Sequence, residues 1–146
     1  MFNRETEYAL RGLIYIMLQN TKEKRPGTEE VSREIGAPQF FTAKILQRLV
    51  KNGFLESIKG KGGGFYFDPE KPDLPLKKLI IAIEGDRSFS GCIIGLKNCN
   101  EQNPCPLHEK YAPIRSAINE MISEETVQSL ADRVDRQELN IKKVLP

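Results

Sequence analysis

The run Lys59-Gly60-Lys61-Gly62-Gly63-Gly64 constrains this chain more than any other feature, because it lies between two short apolar segments, Phe54–Ile58 and Phe65–Phe67. Two strand-like segments flanking a glycine-rich turn predict a β-hairpin. Phosphate-binding glycine loops of nucleotide enzymes instead join a strand to a helix, in a spaced pattern and with a following lysine and hydroxyl. The hairpin setting excludes that class.

What precedes the hairpin is helical. Residues 4–20 carry Leu10, Leu13, Ile14, Met17 and Leu18 at intervals of three and four, with Ala9 and Ile16 widening the apolar face. Asn20 to Gly27 is a polar connection bearing Pro and Gly. A short helix capped by Thr28 follows, with Val31 and Ile35 turned inward. Gly36-Ala37-Pro38 ends it and opens the next, since proline suits a first helical turn. That helix, Pro38 to Lys51, is expected to bury Phe41, Ile45, Leu46, Leu49 and Val50, and Gly53 can close it in the left-handed conformation. Helix, short helix, tight turn, helix and hairpin is the order of a winged helix-turn-helix. The expected fold is mostly α with a small β wing, plus a further long helix.

Beyond Pro69 the texture changes. A proline-rich spacer leads to a short apolar helix from Leu76 to about Ile83, stopped by Gly85, and Ser88 to Pro106 has little periodicity. A longer helix over residues 107–122 is predicted from the stripe Tyr111, Ile114, Ala117, Ile118, Met121 and Ile122, with Pro113 near its first turns. Residues 126–134 form a last short helix, and the tail from 140 to 146 is expected to fray. The expected organisation is residues 1–70 as the winged helix-turn-helix DNA-binding domain, 71–106 as connecting helix and cysteine loop, and 107–146 as a long helix and a C-terminal helix.

The chain has 146 residues, 39% apolar and 29% charged, which suits one compact domain or a small domain with an oligomerisation arm. Its longest apolar stretches fall far below the ~18–20 residues needed to cross a bilayer. The first residues lack the apolar core of a signal peptide, so a cytoplasmic location is expected. The net charge of +2 is unevenly spread: residues 39–66 hold Lys44, Arg48, Lys51, Lys59 and Lys61 against Glu56 alone, whereas residues 71–146 balance 11 bases with 11 acids. A concentrated basic segment is the footprint of a phosphate-binding face.

In a helix-turn-helix the start of the second helix enters the major groove. That places Gln39, Thr42, Ala43 and Lys44 at base edges, with Arg48 and Lys51 toward phosphate. Glutamine can pair with adenine, and threonine can bond a base or touch a thymine methyl. In the wing, Lys59 and Lys61 supply charge, while Gly62, Gly63 and Gly64 let backbone amides approach the duplex.

Cys92, Cys99 and Cys105 are separated by seven and six residues, and the only histidine, His108, follows Cys105 by three. Three clustered cysteines do not make a disulfide framework, and a reducing compartment is the better setting. Three thiolates and an imidazole can hold zinc or an iron–sulfur cluster. The wide spacing, without close Cys-x₂₋₄-Cys knuckles, favours the larger group, with a thiol switch as the alternative. A zinc enzyme or an electron carrier would have no use for the basic wing, so no enzyme is expected.

Tyr8-Ala9-Leu10-Arg11, Gln47 through Leu55, Ile58 through Phe65, Ala82-Ile83-Glu84-Gly85 and the Cys92/Cys99/Cys105-Pro106-Leu107-His108 loop together resemble the Rrf2 family of winged-helix regulators, in its IscR- and NsrR-like branch. The resemblance runs through essentially the whole chain in order. It implies a homodimer joined along the helix at 107–122 and reading a palindromic site in double-stranded DNA as a regulator, by expectation a repressor. It also implies a cluster sensing iron–sulfur status, redox or nitric oxide, held by Cys92, Cys99, Cys105 and, as in IscR-like members, His108. In NsrR-like members the fourth ligand is a carboxylate from the partner's first helix, and Glu7 occupies the matching place. The histidine match favours a 2Fe–2S cluster, and Glu7 keeps a 4Fe–4S cluster open. Two departures stand out: the first cysteine gap is one residue longer than in IscR, and Phe40-Phe41-Thr42-Ala43 replaces a more polar run, which leaves the operator open.

Overall fold

In the computed structural model, residues 1–137 and 139–141 are described. The part of the tail expected to fray that lies at residues 142–146 falls outside them. The chain forms two compact units, Met1–Leu74 together with the described residues from Val127 on, and Pro75–Thr126. This division departs from the three consecutive segments read from sequence, because the last helix joins the first unit.

The first unit contains α1 (Arg4–Thr21), α2 (Thr28–Ile35), α3 (Gln39–Lys51), β1 (Glu56–Ile58), β2 (Gly64–Tyr66) and, after the second unit, α6 (Val127–Gln137). Asn3 caps α1, its side-chain oxygen accepting from the Thr6 N–H at 2.8 Å. The buried face of α1 comprises Thr6, Tyr8, Ala9, Gly12, Leu13, Ile14 and Ile16. Leu10, Met17 and Leu18, expected inside, are half-buried. Helices α2, α3 and α6 all pack on α1, so its covered surface is wider than one stripe and its centre is displaced.

Thr28 is not the cap of α2. Gly27 holds that position without a side-chain bond, and Gly36 ends the helix in the left-handed conformation at φ 67°. In α3 the buried residues are Thr42, Ile45, Leu46 and Leu49. The expected inward Phe41 is 56% exposed, and Val50 is half-buried. Thr42 takes the inward place because its hydroxyl donates to the Pro38 carbonyl at 2.9 Å, which satisfies the buried oxygen within the helix.

The strands pair antiparallel, with Glu56 opposite Tyr66, Ser57 opposite Phe65 and Ile58 opposite Gly64. Two glycines are demanded by close approach. A Cβ on Gly63 would lie 2.1 Å from the Ile58 carbonyl oxygen, and one on Gly64 would lie 2.1 Å from that of Arg25. The wing is thus seated on the α1–α2 loop. There the Phe65 N–H donates to the Pro26 carbonyl at 2.9 Å, and Asn20 accepts from the Phe67 N–H at 2.9 Å.

Helix α6 buries Val127 and Ala131 and packs along α1. Two bonds tie its start to Leu74: the Val127 N–H donates to the Leu74 carbonyl, and the Leu74 N–H to Gln128 Oε1, each at 2.9 Å.

The second unit pairs α4 (Leu76–Glu84) with α5 (His108–Glu124). Leu76, Leu79 and Ile80 of α4 are buried, and Gly85 ends that helix as expected. The Leu76 N–H donates to the Glu125 carbonyl at 3.0 Å. Helix α5 runs through Pro113 and buries only Ile122. Ile114 and Met121 of its apolar stripe are 55% and 49% exposed. No helix among the described residues is long and apolar enough to cross a membrane.

Candidate cysteine site and nucleic-acid face

The connection between α4 and α5 has almost no regular structure, yet it is held in place. The Arg115 guanidinium donates to the Gly91 carbonyl at 3.1 Å, and the Asn119 amide donates to the carbonyls of Phe89 and Arg115. The Phe89 ring is buried. Side chains on successive turns of α5 therefore fix the loop. Sequence reading missed them because their partners are backbone carbonyls, which leave no mark in composition.

Three thiols converge at the far end of this loop. The Sγ atoms of Cys92, Cys99 and Cys105 lie within 4.8 Å of one another, the pair Cys92–Cys105 at 3.6 Å. Cys105 is buried, and the other two are half-buried. His108, at the first turn of α5, brings Nδ1 to 3.1 Å from Cys99 Sγ. Arg87, Arg115, Cys92, Cys99 and His108 line a cavity of about 410 Å³. The three cysteines thus gather, and His108 reaches the group through Cys99. Three soft donors and an imidazole with space before them fit an iron–sulfur cluster or a zinc ion.

The thiols differ electrostatically. Burial would push Cys92 up, but the backbone amides of Leu96 and Ile94, helped by the Cys105 and Cys99 thiols, pull it down from 9.0 to about 7. For Cys99 the Cys105 N–H acts downward, yet burial and the neighbouring Cys105 and Cys92 thiols raise it. Cys92 is thus readily supplied as thiolate, the form that binds metal. Glu7 is exposed on α1 in the first unit.

On the other unit, the described structure presents Gln39, Lys44 and Lys51 of α3 and Lys59, Lys61 and Gly62 of the wing to solvent. Lys44 Nζ sits 4.6 Å above the Phe40 ring. Arg48 is exposed but held, its guanidinium donating to Glu5 Oε1 at 2.6 Å. Ala43 is half-buried. Thr42 is a correction to the groove-facing set, because it is 2% exposed and its hydroxyl is spent on Pro38. Gly63 and Gly64 are half-buried, and the close approaches within the hairpin and to the α1–α2 loop account for both. Arg25 was missed by sequence reading. Its guanidinium lies 4.5 Å from the centre of the Tyr66 ring, which adds a cation at the base of the wing.

A winged helix-turn-helix with an exposed basic helix and wing, carried with a three-cysteine loop, defines a DNA-binding transcriptional regulator of the winged-helix class. Residues 2–133 match the family model of Rrf2, described as an iron-dependent transcriptional regulator, and the chain belongs to that family. It is a transcriptional regulator and not an enzyme. The HTH-type transcriptional repressor NsrR of Streptomyces coelicolor is 28% identical over 102 residues, covering 70% of this chain and 64% of that protein. The HTH-type transcriptional regulator IscR of Pectobacterium carotovorum is 22% identical, with 93% of this chain and 85% of that protein covered. The solved structure of CymR, the global cysteine regulator of B. subtilis, shares the fold with a TM-score of 0.71 at 20% identity, covering 90% of this chain and 96% of that one.

Proposed function

We propose that this chain is a cytoplasmic, cluster-sensing repressor that acts as a homodimer on a palindromic operator. The observation that carries this reading is the meeting of Cys92, Cys99 and Cys105 within 4.8 Å in one loop, with Nδ1 of His108, at the start of α5, 3.1 Å from Cys99. Those four side chains would hold the cluster, and His108 as ligand favours the 2Fe–2S form. The partner's Glu7 is the ligand to expect if the cluster is 4Fe–4S. When bound, such a group supplies reversible redox and ligand-exchange chemistry toward oxygen, nitric oxide or iron shortage.

The protein's own residues then translate that state. Thiolates drawn to one centre would hold residues 85–106 against α5, in concert with Arg115 and Asn119. Releasing them would leave the loop to those side-chain bonds and the buried Phe89. Helix α5, whose exposed Ile114 and Met121 form the expected seam between two copies, would carry the difference to operator affinity. A lone imidazole among thiolates is the ligand of different softness, and so the one most readily exchanged. On the first unit, Gln39 and Lys44 would face bases, while Lys51, Lys59, Lys61 and Arg25 would neutralise phosphate. Arg48 would join them once released from Glu5.

Anaerobic purification, followed by absorption spectroscopy with iron and acid-labile sulfide counts, tests this. About 2 Fe and 2 S per chain supports the His108-ligated cluster, and about 4 of each moves the fourth ligand to the partner's Glu7. A colourless protein that iron and sulfide cannot reconstitute sinks the cluster reading. The second reading is a regulator of the same fold that uses its cysteines as thiols. The 3.6 Å separation of Cys92 and Cys105 favours it, since a small movement would bring them to bonding distance.

A further inference from the structure

We infer that Phe40 and Phe41 read thymine 5-methyl groups in the operator, which makes this regulator selective for thymine at fixed positions in each half-site. The inference rests on the DNA-binding reading above. Both rings lie in the first turn of α3, the turn a helix-turn-helix inserts into the major groove. They are 66% and 56% exposed, although a residue of this size is ordinarily covered in a folded domain. The core of the unit does not enclose them: the inward position next to them is taken by Thr42, itself 2% exposed. The two rings meet edge to face, with centroids 6.1 Å apart, and so form one apolar surface.

The surroundings decide what covers that surface. Lys44 holds its ammonium 4.6 Å above the Phe40 ring. Phe41 lines a recess of about 410 Å³ with Tyr8, Pro38 and Ile45, edged by Arg4, Lys44 and Glu5, the last paired with Arg48. Lys51 lies further along the same helix, and Lys59 and Lys61 lie on the wing. An apolar patch beside Lys44 and Arg4, with Glu5 engaged by Arg48, fits a polyanion that also exposes apolar groups, and the methyl that duplex DNA presents to a major-groove side chain is that of thymine. Phenylalanine has no hydrogen bond to offer a base edge, so methyl contact is the readout available to it. With Thr42 buried, hydrogen-bond reading from this first turn falls to Gln39.

The test uses the full-length protein purified anaerobically. A preferred sequence is first selected from a random duplex library. Each thymine in it is then replaced in turn by deoxyuridine, which removes the methyl and keeps every hydrogen-bonding atom. Wild type is expected to lose affinity about fourfold per contacted methyl, at one or two matching positions in each half-site. Phe40→Ala and Phe41→Ala should bind the thymine duplex more weakly and no longer distinguish uracil at those positions. Phe40→Leu should keep part of the discrimination. The rings are exposed, so circular dichroism and melting of these variants should match wild type. Equal binding of thymine and uracil duplexes by a wild type that still selects one sequence overturns the inference and leaves the DNA-binding reading intact. Discrimination retained in both alanine variants also overturns it. Failure to enrich any sequence overturns the DNA-binding reading itself, and the inference with it.

Discussion

Two glycine-bearing loops in this molecule are held by opposite means. The wing turn is fixed by backbone: Gly63 and Gly64 bring the chain so close to the Ile58 and Arg25 carbonyls that a side chain could not fit, and the Phe65 N–H bonds Pro26. The loop between α4 and α5 is fixed by side chains, with Arg115 and Asn119 reaching its carbonyls and three thiols gathered at its end. The same contrast separates the units that carry them. The first surrounds α1 with α2, α3 and α6 and encloses Leu13, Ile16, Leu46 and Leu49. In the second, α5 buries Ile122 alone and leaves Ile114 and Met121 in solvent. A backbone-clamped element is rigid whatever is bound. An element held by a few side chains can change state when its ligands change, and low local stability belongs where a protein must respond.

The sharpest way to break this contrast is Cys99→Ala. It should abolish iron and sulfide binding altogether while leaving the melting of the first unit unchanged, as followed by the absorption spectrum and circular dichroism. A variant that unfolds both units would show that the cysteine loop is a general structural staple. Next comes Gly64→Ala. The 2.1 Å approach to the Arg25 carbonyl requires backbone movement, so a loss of about 2–4 kcal/mol in urea unfolding is expected, together with weakened DNA binding.

Ile114→Glu tests the other side of the comparison. If the exposed face of α5 is a seam between copies, light scattering should show monomer replacing dimer, with helical content preserved. A dimer that survives places the seam elsewhere.

The smallest effect is expected at Tyr15, whose hydroxyl donates to Glu30 Oε2 at 2.8 Å between α1 and α2. Tyr15→Phe should cost about 1 kcal/mol near neutral pH. Burial, aided by Glu30, pushes the Tyr15 phenol well above its ordinary 10.0. The folded state therefore favours the neutral phenol, and its contribution is complete below pH 10. As pH climbs past 10, the unfolded chain ionises first and stability is lost. Wild type should thus melt at falling temperature above pH 10, and Tyr15→Phe should lose less over that range.

The wing was legible because glycines with apolar flanks leave few alternatives, and Gly63 and Gly64 then proved necessary for backbone contact. The termination of α4 at Gly85 was legible for a similar local reason. The inward face of α3 was misjudged most at its start, besides Val50, which is half-buried. Hydrophobicity puts Phe41 inside and Thr42 outside, yet a threonine whose hydroxyl bonds back to Pro38 can be buried at little cost, and the neighbouring ring is displaced to the surface. The grouping of three cysteines and a histidine could be read from spacing, whereas Arg115 and Asn119 could not, because bonds to backbone carbonyls select no residue at the other end.

By itself the sequence determined what depends on neighbours along the chain: the order of helices and hairpin, the basic segment from 39 to 66, and three cysteines followed by one histidine. The tertiary structure alone decided what depends on residues distant in sequence. It returned α6 to α1 across the second unit, seated the wing on the α1–α2 loop, brought His108 to Cys99, and left Phe40, Phe41, Ile114 and Met121 uncovered. The physical reason is that periodicity reports which residues could share a face. Whether that face is covered depends on what the rest of the chain has brought to lie against it.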